Sequence, residues 1–366
     1  MAKFRILSID GGGIRGIIPG TILLTLEQKI IQRTGNADAK ISDYFDFIAG
    51  TSTGGILSCL YLLPGQTSDP TQPRPRITAK SALDIYLENG NRVFATDRYQ
   101  RLRSGDGILD EKYSAANLEK LILDYCQDTK LSQLLKPCLI TSYDIKRGKP
   151  QFFTQHDARE LGDSNDFYVK DVARATSAAP TFFEVTNTQS LSGVSYPLVD
   201  GGVFANNPTL CAYAEVHAKF LKTPKGFVQK KHLSSKGEQA KDVSEISAKD
   251  LLILSLGTGR TALNYEYKQA KNWGAAEWVR PVIDIMMLGV SQTVDYQLQQ
   301  IYDCINQPKS YLRIDPLLPK PKTMVQMDNS TPQNVQDLKE LGVETVEQNS
   351  EKLDDFLELL LKEAQG

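Results

Sequence analysis

Apolar positions fall into two kinds of segment: short continuous runs that end on glycine, and longer stretches at helical spacing. Phe4 to Ile9 is a compact apolar run and predicts a buried strand. Asp10 and three glycines follow it. Helical spacing then begins near Pro19, with Ile22, Leu23, Leu26 and Ile30 on one face. Phe45 to Ala49 predicts a second strand. Gly54 to Leu63 predicts a helix that is apolar nearly all round, and hence buried. Strand, glycine turn and buried helix, repeated within the first sixty or so residues, indicate α/β layering.

Further along, Ala115 to Cys126 predicts a helix, Cys138 to Tyr143 a strand, and Leu198-Val199 the end of a strand. Pro208 to Leu221 predicts a helix and Leu251 to Leu256 a strand. Val282 to Ile305 predicts a long helix. A helical segment at 333–364, after Pro332, is expected to break near Gly342. Pro64 to Arg76 carries four prolines and predicts a loop. Because it follows the Gly54 helix, it is expected either at the edge of a cleft opening there or as a plain surface connection. Lys222 to Lys249 is lysine-rich and predicts a polar surface insertion, at 222–249. No repeat or linker divides the chain, so residues 1–366 are expected to form one domain.

Composition narrows the classes. Of 366 residues, 41% are hydrophobic and 23% charged, which excludes bulk disorder. Lys+Arg 42 against Asp+Glu 44 leaves a net charge of −2, without the basic surplus of a nucleic-acid binder or of a protein held to anionic lipid by charge alone. No run of ~18 apolar residues predicts a transmembrane helix. Met1 to Arg5 leads straight into the first strand, unlike a signal peptide. Five scattered cysteines without a CxxC pair predict free thiols in a reducing compartment. A cytoplasmic protein, with peripheral membrane association left open, is the expectation. Asn329-Ser330-Thr331 fits a glycosylation pattern but is discounted without a leader.

Three motifs carry candidate chemistry. Gly50-Thr51-Ser52-Thr53-Gly54 reads G-x-S-x-G between a strand and a helix, where a sharp turn presents a serine hydroxyl at the helix start. The plainer alternative is a capping serine in a tight turn. Asp10-Gly11-Gly12-Gly13-Ile14-Arg15-Gly16 leaves consecutive N–H groups bare, which suits a phosphate or a developing oxyanion. Gly11, Gly13 and Gly16 also satisfy G-x-G-x-x-G, a dinucleotide fingerprint. That reading needs an acidic residue at the end of the second strand, where Gly50-Thr51-Ser52 stands instead. Asp200-Gly201-Gly202 puts an aspartate at a strand end with glycines behind it.

A serine hydroxyl needs a base. The three histidines, His156, His217 and His232, have no motif around them. Their scarcity moves weight to a carboxylate whose pKa burial can raise, and Asp200 is the best placed. No HExxH, Cys/His cluster or EF-hand loop predicts a metal. Met286-Met287 and the aromatics around Trp273 and Trp278 are expected to pack in the core.

In this order the motifs resemble the patatin-like phospholipase family: DGGGIRG (Asp10 to Gly16), GTSTGG (Gly50 to Gly55) and DGG (Asp200 to Gly202). ATSAAPTFF (Ala175 to Phe183), DGGVFANNP (Asp200 to Pro208) and LSLGTG (Leu254 to Gly259) support the likeness. So do TSYDIKRGKP (Thr141 to Pro150) and SYLRID (Ser310 to Asp315), which extend it to most of the chain. The resemblance implies a three-layer α/β/α fold around a central, mostly parallel sheet. It implies a lipid acyl hydrolase with a Ser–Asp dyad: Ser52 as nucleophile, Asp200 as base. Gly11, Gly12 and Gly13 would form the oxyanion hole with help from Arg15, and Gly16, Gly50, Gly54, Gly201 and Gly202 would shape the turns. No calcium or other cofactor is implied. The implied substrates are glycerolipids, phospholipids or galactolipids at membrane or micelle surfaces, and an activating partner is compatible with the motifs. Two other functions fit parts of the pattern: a non-catalytic lipid-binding or storage protein on the same scaffold, and a nucleotide-binding protein at the glycine run.

Overall fold

The computed structural model describes residues 3–65, 73–94, 113–220, 248–261, 265–318 and 326–364. In chain order the strands are β1 (Phe4–Ile9), β2 (Phe47–Thr51), β3 (Cys138–Asp144), β4 (Lys149–Thr154), β5 (Thr186–Gln189), β6 (Ser195–Asp200), β7 (Leu251–Leu256) and β8 (Tyr311–Ile314). The principal helices are α1 (Ile17–Thr34), α2 (Thr53–Leu62), α3 (Ala79–Val93), α4 (Ala116–Cys126), α5 (Thr209–Lys219), α6 (Ala275–Cys304), α7 (Pro332–Gln348) and α8 (Ser350–Ala364). One sheet has the order β5-β6-β3-β2-β1-β7-β8, with β4 also paired to β3. β3, β2, β1, β7 and β8 run parallel. The pairings of β4 with β3, β6 with β3 and β5 with β6 are antiparallel.

The central strands read as continuous apolar runs because both sheet faces are covered. Their side chains nonetheless sort by the period of two. Leu7, Ile9, Ile48, Ile140, Leu252 and Leu254 point to one core, filled by α1, α2, α3, α4, α7 and α8. Ile6, Phe47, Ala49, Leu139, Leu251 and Ile253 point to the other, filled by α5 and by Val294, Leu298 and Tyr302 of α6. The result is the expected three-layer α/β/α arrangement.

β3 sets the register that matters. Thr141 lies opposite Thr51, the last residue of β2, and the next residue, Ser142, lies opposite Asp200, the last residue of β6. β2 runs parallel to β3 and β6 runs against it, so the two strands end facing one another. The Thr51 and Thr141 hydroxyls are 2.7 Å apart, and the Ser142 hydroxyl donates to the Val199 carbonyl at 2.6 Å. These bonds tie both strand ends to β3.

Two expectations are corrected here. Gly342 does not break the C-terminal helix. α7 continues to Gln348 and the interruption falls at Asn349. The glycine serves close packing instead: a Cβ there would lie 2.7 Å from Thr21 Cβ on α1. The polar insertion at 222–249 lies almost wholly outside the described residues, which resume at Ala248.

Gly342→Val is expected to force α7 off α1 at a cost of about 1–3 kcal/mol. Urea unfolding checks this. A midpoint equal to that of the parent protein would mean the two helices are not in contact at this position.

Candidate active site

Ser52 sits between β2 and α2 with φ 55° and ψ −122°, a left-handed conformation that costs a non-glycine residue of order 1–3 kcal/mol. The flanking glycines make that turn possible. A Cβ at Gly50 would be driven into the Gly54 carbonyl, and one at Gly54 into the Ile9 carbonyl of β1. The Ser52 N–H donates to Thr176 Oγ1 at 2.8 Å. Ser52 is the N-cap residue of α2, yet its side chain makes no capping hydrogen bond. The hydroxyl is therefore left for another partner, and the capping alternative loses its ground.

The group it faces is Asp200: the serine side chain relieves the buried Asp200 carboxyl, and the two residues line one cavity. Asp200 Oδ1 also accepts from the Gly202 N–H at 2.7 Å. The aspartate is 4% exposed and faces no cation, and burial pushes its carboxyl up to about 7 against the relief supplied by Ser52 and Gly202. A carboxylate of this kind is a useful base near neutrality. His156 stacks on Phe220 and His217 on Tyr213, and neither lines the Ser52 cavity. His232 lies outside the described residues.

The glycine run divides its N–H groups. Gly11 is already committed, donating to the Asn206 carbonyl at 3.1 Å. This corrects the expectation that Gly11 would be one of the anion donors. The N–H groups of Gly12 and Gly13 have no acceptor among the described residues, and both residues line the cavity with Ser52. Their directions follow from the carbonyls, since a trans peptide points C=O and N–H opposite ways. The Thr258 hydroxyl donates to the Gly11 carbonyl at 2.6 Å, which turns the Gly12 N–H the other way. The Arg15 guanidinium donates to the Gly12 carbonyl at 3.4 Å, which does the same for Gly13.

Arg15 is also corrected by this geometry. Its side chain lines a smaller polar cavity behind the glycine run, with Asp10, Asn206, Asp284 and Asp315, and not the cavity of Ser52. Its contribution reaches the site through the Gly12 peptide. Gly16 lies in the short turn at Gly13–Gly16 that precedes α1. A Cβ at Gly201 would collide with the Thr141 hydroxyl.

Sequence reasoning assigned no role to Arg313, Thr258 or Asn206. Arg313 on β8 reaches over β7 to grip Asp10 with two bonds of 2.8 and 2.6 Å, and it bonds Ser255 on the way. Burial works against the Arg313 charge, but Asp10 and Asp315 more than offset it, so the guanidinium stays protonated. All three lie within stretches whose only signal in the sequence is likeness to the family: SYLRID, LSLGTG and DGGVFANNP.

The Ser52 cavity holds about 200 Å³. It runs along α2 past Ile56 and Leu60 to Ile122 and Cys126 of α4, and its walls are almost wholly apolar. Most of the proline-rich loop, residues 66–72, lies outside the described residues. The described stem pairs Pro64 with Pro75 beyond the far end of α2, and none of it lines the cavity. α3, α4 and the N-terminal half of α6 form the walls instead. Among the described residues no cluster of three or more His, Cys, Asp or Glu could hold a metal ion, and no helix is long and apolar enough to cross a membrane.

Residues 7–213 match the family model for patatin-like phospholipase. Patatin-like protein 3 of Arabidopsis thaliana is 35% identical over 355 residues, covering 92% of this chain and 79% of its own length. Patatin-T5 of Solanum tuberosum is 31% identical over 354 residues, covering 95% of this chain and 84% of its own. The protein named "Probable inactive patatin-3-Kuras 1", also of Solanum tuberosum, is 32% identical over 316 residues, with 84% and 77% covered.

If Asp200 serves Ser52 as a base it must be ionised, and labelling of Ser52 by a fluorophosphonate should then rise with pH around a midpoint of about 7. That midpoint should move little with temperature, as carboxylates do and imidazoles do not. A midpoint that shifts steeply with temperature would point to a histidine.

Proposed function

The chain belongs to the patatin-like phospholipase family, and from that premise we propose that it is a lipid acyl hydrolase that cleaves fatty acyl esters of glycerolipids through Ser52 and Asp200. The observation that carries this reading is the uncapped Ser52 hydroxyl facing a buried carboxylate inside an apolar cavity. In the proposed reaction Ser52 Oγ attacks the ester carbonyl while Asp200 takes its proton. The carbonyl oxygen becomes an anion held by the Gly12 and Gly13 N–H groups. Fixed donors of this kind need no reorganisation as charge develops. Collapse expels the glyceryl alcohol, which receives the proton from Asp200. Water then attacks the acyl-serine with Asp200 again as base, and collapse releases the fatty acid as Ser52 Oγ takes that proton back from Asp200.

Phospholipids and galactolipids share the ester that this site would attack, and the cavity suits the acyl chain they have in common. The chemistry uses side chains and backbone alone, with no cofactor. The whole chain acts as one catalytic domain in this reading. Arg313 and Met327 lie beyond the matched residues 7–213, yet Arg313 holds Asp10, and the Met327 carbonyl accepts the Ile14 N–H at 2.8 Å.

Ser52→Ala and Asp200→Asn should each abolish hydrolysis of a dispersed phospholipid while circular dichroism stays unchanged. His156→Ala and His217→Ala should each cost less than tenfold, under about 1.4 kcal/mol of barrier. A folded histidine variant as inactive as Ser52→Ala would replace the dyad. A wild-type chain that neither hydrolyses nor takes the fluorophosphonate would leave a lipid-binding or storage protein as the better reading.

Thr258→Val removes the hydroxyl that orients the Gly11–Gly12 peptide. Loss of an oxyanion donor costs about 10²–10³ in kcat, and a donor merely left loose should cost about tenfold or somewhat more, with KM little changed. Thr258→Ser should restore the rate. Equal losses in the valine and serine variants would mean that the hydroxyl is not what matters.

A further inference from the structure

The N-terminal half of α6 carries an apolar face that no other part of the described structure covers. Trp278, Val282, Ile285 and Met286 are each 40–50% exposed. At about 100° per residue they fall within a single arc of the helix. Gly289 lies in the same arc, and nothing stands within 4 Å of where its Cβ would be. Tyr296 continues the line at 64% exposed. Trp278 also stacks edge-on with Trp273, 5.0 Å between centroids, and Trp273 with Tyr265. The sequence places Met286-Met287 and the aromatics around Trp273 and Trp278 in the core, and the structure puts Trp278 and Met286 on the surface.

The opposite face of the same helix is accounted for. Val294, Leu298 and Tyr302 pack on the sheet, and Ile283 and Met287 line the Ser52 cavity. Met286 belongs to both surfaces: it is half exposed and also lines the cavity. The outer apolar face is thus continuous with the apolar wall inside.

From this continuity we infer that the 278–289 face of α6 is the surface by which the protein docks on a lipid layer, with the cavity mouth held against that layer. The inference rests on the glycerolipid reading above, because it is the ester substrate that would cross from layer to cavity. A lipid surface fits the chemistry better than a protein groove. The patch has a rim of aromatics, whose rings favour the headgroup level, and an aliphatic centre suited to shallow burial. The exposed Glu277 beside it and the net charge of −2 favour a neutral layer over an anionic one.

The test uses the full chain in the Ser52→Ala background, so that vesicles stay intact, with vesicles of neutral phosphatidylcholine. Trp278→Ser, Val282→Asp and Ile285→Asp are combined, and co-sedimentation is measured. Tryptophan emission and its quenching by bromine-labelled acyl chains are read alongside it. Docking through this face predicts blue-shifted, quenched emission in the parent protein and at least a tenfold weaker partition in the triple variant. With Ser52 restored, the triple variant should lose activity on vesicles and keep it on a water-soluble short-chain ester. That ester separates the two claims: no turnover of it by the wild type would count against the hydrolase reading, whereas sedimentation reports docking alone. Unchanged partition in a folded triple variant would overturn the inference. So would a dimer in sedimentation velocity that the triple substitution dissociates while partition stays the same, since a second copy would then be the occupant of the face.

Discussion

The ion pair between Asp10 and Arg313 is the anchor of the site. Both side chains are buried, at 3% and 7% exposure, and breaking such a pair costs about 3–5 kcal/mol because it strands a charge. Asp10 is the residue at which the chain leaves β1 and enters the glycine run. Arg313 comes from β8, two strands away. The sheet therefore fixes the start of the run from outside the β1–β2 unit. Gly54, packed against the Ile9 and Asp10 carbonyls, transfers that fixed position to the serine turn. Loop and nucleophile are held to one reference point although they follow different strands.

A second constraint comes from strand direction. An all-parallel sheet would bring its C-terminal ends to one rim in a row. Here β6 runs antiparallel to β3, so its last residue comes level with the end of β2 across β3. Asp200 and Ser52 then reach one cavity without a long loop to carry either. Two strand ends are among the stiffest places from which to present side chains, and the Gly202 N–H holds the Asp200 carboxylate in place at 2.7 Å.

The legible parts of the chain were those governed by local rules. β1, β2, β3 and β7 declared themselves as apolar runs, and α2 as an apolar helix behind a G-x-S-x-G turn. Ser52 and Asp200 stood out because glycine flanked them at strand ends. The strand β4 did not, because it lies off the main path of the sheet, with Lys149 and Pro150 exposed and no clean alternation. The division of labour within the glycine run was invisible for a different reason. Which N–H is free depends on Asn206 and Thr258, far away in sequence, and no local pattern encodes such a pairing. Gly342 misled because glycine breaks a helix only where nothing rewards its small size. The exposure of Trp278 and Met286 misled because hydrophobic type predicts burial only on average.

The raised carboxyl of Asp200 has an effect on how a turnover would end. The proposed product is itself a carboxylic acid, released beside Asp200 in a cavity with little polar lining. When both acids are ionised, two like charges face each other across an apolar space, and the product is driven out. When Asp200 is protonated, that repulsion is gone, and the product can stay with its chain along the apolar wall by α2. In the proposed reaction, retention of fatty acid is therefore tied to the same proton that would set the reactivity of the serine, and accumulated product should slow turnover most on the acid side of neutrality.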